Sequence, residues 1–268
     1  DQMPNYTALW SEADLETMLK FCSASDGHLY YTPNQNYRTA SMSWIYRKSA
    51  FDENGWEMPT TPEELYELLK EIKAADPDSV PMPSGGNWGN AVSGMQIAYG
   101  VTNTKSYVDA WTGEFIPYGY TQDGFREALK WTNTFYKEGF MDPEFATSND
   151  NRRTEFFANG KAYIEYQYVE SALWAETTMK PLFPDVDWEF TGYNISADPS
   201  KGYLYQRDNT FFAYGYAFTD KISDEGLARM LDWCDYISTD EGATFMCMGV
   251  EGVTYQKNAD GTLQFMDH

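Results

Sequence analysis

Arg153-Thr154-Glu155-Phe156-Phe157-Ala158-Asn159-Gly160-Lys161-Ala162-Tyr163-Ile164-Glu165-Tyr166 is the stretch on which the fold turns. Arg153 to Ala158 reads as a short helix, and Asn159-Gly160 is its stop. Ala162 to Tyr166 reads as a strand. The same alternation of helix and strand recurs on both sides. Upstream, Gln122 to Lys137 carries a helical stripe of Phe125, Ala128, Leu129, Thr132 and Phe135, with Gly139 placed as a C-cap glycine. Trp111 to Ile116 suggests a small hairpin. Ser84 to Asn90 suggests a loop, followed by a helical stretch through Met95 and Ile97. The clearest helix start is Thr61-Pro62-Glu63-Glu64, which combines an N-cap hydroxyl, a first-position proline and a capping-box glutamate. Before it, Met42 to Arg47 and His28 to Tyr31 are strand-like, Phe51 to Gly55 is a stop, and Ser11 caps a helix running to about Phe21.

Downstream, Pro184 to Tyr193, Tyr203 to Tyr205 and Phe211 to Phe218 are strand candidates. Ser223 caps a long helix through Leu227, Met230, Leu231, Cys234 and Tyr236, and Thr239 opens another. Asp260-Gly261 marks a hairpin-type turn in the tail. Helices interleaved with short strands define the α/β class.

The chain has 268 residues, 42% hydrophobic and 22% charged, a globular composition. No run approaches the roughly 18 apolar residues of a spanning helix. The chain opens at Asp1-Gln2-Met3-Pro4-Asn5 with no export-signal pattern, so it is expected to start after processing or to be a piece of something longer. The 41 acidic residues against 19 basic ones give a net charge of −22. A field of that sign repels phosphate backbones and anionic lipid, so neither nucleic acid nor a membrane surface is an expected partner. Cys22, Cys234 and Cys247 have no C-x-x-C spacing, which argues against zinc and thioredoxin-type chemistry. Aromatic residues reach 17%, including 9 Trp and 21 Tyr. That is enough to fill a core and still line a cleft with flat faces that suit the C–H faces of sugar rings.

Six segments, in order, resemble the family 1 extracellular solute-binding proteins of the carbohydrate type. Asp26-Gly27-His28-Leu29-Tyr30-Tyr31-Thr32-Pro33 is similar to the family's DGKIYALP strand, and Trp44-Ile45-Tyr46-Arg47-Lys48 to its LYYRKD strand. Pro59 to Leu65 resembles the PTTWDEL helix start, and Phe157 to Tyr163 the FxxGKAAM junction. Ser238 to Gly242 resembles LLTDEG, and Gly249 to Tyr255 the GIEGVHY of the family's larger lipoprotein branch. The resemblance implies a periplasmic-binding-protein-like type II fold, mainly its second lobe with hinge-proximal strands. Residues 1–40 would be a remnant of the first lobe and a hinge strand, and residues 41–268 the second lobe, shortened at its end.

The implied function is the substrate-binding component of an ABC importer, closing two lobes on a sugar or oligosaccharide. The implied partners are a carbohydrate and the permease subunits. The implied location is extracellular, as a cell-surface lipoprotein whose lipid anchor lies outside this chain, or periplasmic. The protein is expected to be a monomer with no cofactor. Candidate ligand contacts are Asn87 and Trp88 at the cleft mouth, Tyr168 and Glu170 beyond the strand, Arg207 and Asn209 before a hinge-like strand, and Trp44 and Tyr46 near the crossing strand. Several have a plainer role: Trp88 packing under the next helix, Tyr168 turned inward, Arg207 paired with a carboxylate, and one phase of the Trp44–Tyr46 strand in the core. The rival readings are a glycoside-processing enzyme and a non-transport carbohydrate-binding surface protein. With 41 acids some carboxylate pair always exists, and only His28 and His268 are available for histidine chemistry, so no enzymatic role is expected. Asp109 and Asp260 lie in Gly-containing turns but do not match an EF-hand, and no metal is expected.

Overall fold

The computed structural model describes residues 2–33, 42–84, 88–101, 106–109, 111–147, 149–202 and 215–266, with backbone only at 88–91 and 150. In chain order the first elements are α1 (Pro4–Ala8), α2 (Glu12–Cys22), β1 (Tyr31–Pro33) and β2 (Met42–Tyr46). Then come α3 (Lys48–Asn54), α4 (Pro62–Ala75), α5 (Trp88–Ala98), β3 (Tyr107–Val108) and β4 (Phe115–Ile116). They are followed by α6 (Asp123–Lys137), α7 (Asp150–Ala158), β5 (Ile164–Tyr168), α8 (Ser171–Met179) and β6 (Glu189–Phe190). The last are β7 (Gly215–Ala217), α9 (Asp224–Tyr236), α10 (Asp240–Met248), β8 (Tyr255–Lys257) and β9 (Leu263–Phe265).

The described residues form two compact units, one from Met42 to Gly202 and one joining the segment up to Pro33 with the segment from Gly215 on. The described tail groups with the first residues of the chain. The reason is pairing at long range: β1 and β7 are antiparallel, Tyr31 opposite Ala217 and Pro33 opposite Gly215. Asp235 on α9 also accepts from the Tyr6 amide at 2.9 Å and from the Asn5 side chain at 2.7 Å. No local pattern announces such contacts. Within the same unit α9 and α10 start on Ser223 and Thr239, whose hydroxyls accept from the Gly226 and Gly242 amides. The tail hairpin β8–β9 turns at Gly261, which has a φ of 88°.

The larger unit is built on a three-stranded antiparallel sheet, ordered β5-β2-β6. Side chains alternate across it. Met42, Trp44, Ile164 and Tyr166 enter one apolar cluster with Leu65, Leu69 and Ile72 of α4, Met95 of α5 and Phe135 of α6. Ile45 enters the other, with Phe157 of α7, Ala172, Ala175 and Met179 of α8, and Trp188. Both faces are covered, which is why β2 and β5 show no alternation of burial until their ends. Each fully buried Leu or Ile contributes about 1.5–3 kcal/mol.

The helix–strand junction at 150–168 forms as read. Asn149 caps α7, accepting from the Arg152 amide, and Gly160 adopts φ 70°. A Cβ at Gly160 would come within 2.4 Å of the Phe183 ring. Thr61 and Glu64 form the expected capping box on α4. Three readings change. Phe51 to Gly55 is mostly helix: α3 runs to Asn54 and only Gly55, at φ 69°, is the stop. The expected strand over 184–193 shrinks to Glu189–Phe190, because only that short stretch reaches β2. The strand expected over 28–31 lies at Tyr31–Pro33.

Glu165 is a charge on a buried face. Its carboxylate accepts from the Arg153 guanidinium at 2.6, 2.8 and 3.0 Å, and the guanidinium stacks 3.9 Å from the centre of the Trp174 ring. A buried pair completed in this way is neutral or mildly costly, whereas half of one costs about 3–5 kcal/mol. Arg153→Met should therefore lower stability by about 3–5 kcal/mol in urea unfolding, and adding Glu165→Leu should recover most of the loss. Gly94, inside α5, gives a second test. Alanine normally stabilises a helix over glycine by about 1 kcal/mol. Here a Cβ would lie 2.6 Å from the Trp44 ring and 3.1 Å from the Tyr166 Cβ. Gly94→Ala should lower Tm, the opposite of its helix propensity.

Candidate functional site

Strand β5 is buried from Ile164 through Gln167 and surfaces at its last residue, Tyr168, which is 39% exposed. Tyr168 lies on the same face as Tyr166 and stands opposite Met42, the first residue of β2. The chain then turns through Val169 and Glu170 into α8, and Glu170, also exposed, sits at the N-cap of that helix. Sequence periodicity left Tyr168 open between core and cleft. It continues the strand phase of buried Tyr166 and is still exposed, because it lies at the end of the strand, beyond the covering side chains.

A second segment arrives at the same end. Val80 donates to the Lys161 carbonyl, and the Tyr163 and Ile164 amides both donate to the Pro81 carbonyl. Ser84 lies beside Glu165 and Tyr166. Residues 80–84 thus advance alongside β5 in its own direction, towards Tyr168, before α5 begins at Trp88. On the other sheet face the Ser43 hydroxyl lies 2.9 Å from the Thr191 hydroxyl and donates to the Thr191 carbonyl at 2.8 Å. The Thr191 hydroxyl donates to the Tyr193 carbonyl.

Trp44 and Tyr46 are not at this end. Trp44 is 2% exposed and packs at 5.4 Å on Tyr166, so it is core. Tyr46 stands opposite Ile164, four residues from the Met42–Tyr168 pair, or about 13 Å along the strands. Its ring packs on Phe51 and its hydroxyl donates to Glu189. Burial, helped by that carboxylate, pushes its pKa up to about 12. Of the other expected contacts, Asn87, Arg207 and Asn209 lie outside the described residues, as does the side chain of Trp88.

The remaining charged groups near the sheet serve the fold. Arg47 is held between the Tyr163 and Phe183 rings, at 5.6 and 5.0 Å, and burial lowers its pKa. Asp142, fully buried, accepts from Arg152 at 2.6 and 2.9 Å. Asp109 and Asp260 fold back on their own turns. Each accepts from a threonine hydroxyl and amide, Thr112 and Thr262, and this holds both pKa values below the usual range. Among the described residues no group of three His, Cys, Asp or Glu side chains is placed to hold a metal ion. Sequence reasoning did not single out the apolar groove of about 500 Å³ between α8 and β6, lined by Val169, Leu173, Trp188 and Phe190. Nor did it foresee that Ser84 and Tyr166 share a small cavity with Trp44. Neither feature has a local signature.

No family model matches the chain. Among curated proteins it is 24% identical over 248 residues to the polygalacturonan/rhamnogalacturonan-binding protein YtcQ of Bacillus subtilis, covering 88% of this chain and 47% of that protein. It is 29% identical over 167 residues to the lipoprotein LipO of the same organism, covering 58% and 31%. To the fructooligosaccharide ABC transporter substrate-binding protein FusA of Streptococcus pneumoniae it is 23% identical over 160 residues, covering 54% and 27%. The chain thus spans less than half the length of the curated relatives it matches. Among solved structures, the alginate-binding protein AlgQ2 superposes with a TM-score of 0.72 at 17% identity, over 98% of this chain and 54% of that one. FusA in complex with kestose gives 0.68 at 17% identity, over 99% and 56%. By fold the chain is similar to these solute-binding proteins, and its α/β architecture is the type II periplasmic-binding-protein-like one.

Proposed function

We propose that the chain is the sugar-gripping part of an ABC importer's solute-binding protein, capturing a sugar or oligosaccharide for transfer to permease subunits. The observation that carries this reading is the superposition of nearly the whole chain on solute-binding proteins that include a kestose complex. Local support comes from Tyr168, an exposed aromatic at the end of a buried strand, where a flat face with a polar edge is free to meet a ligand. The unit from Met42 to Gly202 is the second lobe in this reading. Its cleft side carries Tyr168 and Glu170, and Asn87, Trp88, Arg207 and Asn209 are the further candidate contacts. Trp44 and Tyr46 support the sheet from within. The protein acts outside the cell or in a periplasm, tethered through a lipid anchor or free, as a monomer, and it binds its ligand without turning it over.

Charge narrows the ligand. A net charge of −22 disfavours a polyanion such as a uronic-acid polymer unless arginines converge on it. A neutral oligosaccharide avoids that cost, and a tyrosine face with a few hydrogen-bonding groups is sufficient to hold one.

The test is a thermal-shift screen of the intact protein against kestose, other neutral oligosaccharides, oligogalacturonides and alginate oligosaccharides. A bound ligand raises Tm with the logarithm of its concentration over Kd. Neutral oligosaccharides should stabilise and uronides should not; a panel with no stabilising member would remove the reading. Calorimetry should then show Tyr168→Ala weakening the captured sugar by about tenfold or more, the loss of one stacked face. The unliganded Tm of that variant should change little, since the side chain is exposed. Tyr46→Phe, at the opposite end of the sheet, should leave affinity unchanged.

A further inference from the structure

Among the buried polar atoms of the larger unit that have no hydrogen-bond partner among the described residues, three lie on residues that line one cavity: the Trp44 indole Nε1, the Ser84 hydroxyl and the Tyr166 hydroxyl. An unmade hydrogen bond at a buried group is costly, and three in one place call for an explanation. The residues that carry them line a single cavity, together with Met82, Met141 and Glu165. The cavity offers about 10 Å³, roughly the room of one water-sized sphere.

The chemistry of the wall selects the occupant. The indole N–H only donates, while the two hydroxyls can donate or accept. A single oxygen with two protons can therefore accept from Trp44 and one hydroxyl and donate to the other. The Glu165 carboxylate is already taken by Arg153, so an anion would meet a buried negative charge with no free cation of its own. A metal ion would find one hydroxyl from serine, one from tyrosine and thioethers. Burial raises the Tyr166 pKa well above the tyrosine range, so the hydroxyl stays neutral.

We propose that the Trp44–Ser84–Tyr166 cavity is a binding site for one water molecule, which ties the segment ending at Ser84 to strands β2 and β5. Four residues after Ser84 the chain begins α5 at Trp88, and two residues after Tyr166 the strand ends at Tyr168. The water thus joins the roots of both elements that frame the exposed end of the sheet. Ser84 and Tyr166 are positioning residues for a solute held there. That second role rests on the proposed function; the water site itself does not.

The experiment is thermal unfolding of the ligand-free protein as wild type, Tyr166→Phe, Ser84→Ala and the double variant. The two hydroxyls are not bonded to each other, so coupling between them needs a third body. Each single variant should lower Tm, and the double should lower it no further than the worse single, because one shared water is lost in either case. A lone desolvated hydroxyl behaves oppositely: its removal leaves Tm unchanged or raises it. Either of those results, or losses that simply add, overturns the site. A high-resolution crystal structure should show an oxygen peak within hydrogen-bond reach of at least two of the three atoms, and a featureless cavity overturns the proposal as well. With kestose as probe, Ser84→Ala should weaken binding by up to about tenfold. Wild-type affinity in both variants would end the positioning role. If the wild-type protein binds no oligosaccharide at all, the proposed function fails, while the thermal coupling still decides the water site.

Discussion

The antiparallel register of β2 and β5 governs the larger unit, because it decides which side chains meet on each face of a sheet that is covered on both. Trp44 opposite Tyr166 and Ile45 opposite Glu165 send two aromatics one way and an aliphatic and a charge the other. A slip of one residue would exchange the faces. Glu165 would then enter the cluster of Leu65, Leu69 and Ile72 without its guanidinium, at a cost of several kcal/mol. The ion pair thus contributes to uniqueness of register more than to net stability. The glycine at 94 adds a second constraint, since α5 reaches the sheet only where no Cβ intervenes between it and the Trp44 ring.

That register also fixes the candidate site. Because β5 ends where β2 begins, the exposed Tyr168 emerges beside Met42 and beside the segment that leads into α5. The fold shelters Tyr166 and exposes Tyr168 on one face of one strand, a gradient from core to surface over two residues. An aromatic face with a polar edge at the open end of a sheet is suited to stacking on a flat, hydroxylated ligand. Three carboxylates near the sheet are committed: Glu165 to Arg153, Asp142 to Arg152, and Glu189 to the Tyr46 hydroxyl.

The smaller unit obeys a different balance. Helices α2, α9 and α10 are well capped, but much of their apolar surface stays partly exposed, and an apolar hollow of about 500 Å³ opens between Tyr6, Leu29, Tyr31, Phe218, Ile222 and Leu231. The antiparallel pairing of β1 with β7 and the Asp235 bonds to α1 hold it together. Its geometry comes from polar anchoring between segments some two hundred residues apart more than from a filled core.

Local chemistry alone determined a good deal. The Ser11, Thr61, Ser223 and Thr239 caps start helices where the sequence places them, since a cap depends on residues within one turn. The helix–glycine–strand order at 150–168, the α/β class and the family resemblance are equally local properties. Other features were decided only in three dimensions. Helix α3 and helix α8 have weak signatures of their own and form against partners supplied by distant strands. The tail joined the first residues through pairing that no window of sequence contains. Trp44 became core and Tyr168 surface although both are strand aromatics, because burial depends on which elements pack over a position, and that is settled by long-range register and not by the residue's own neighbours.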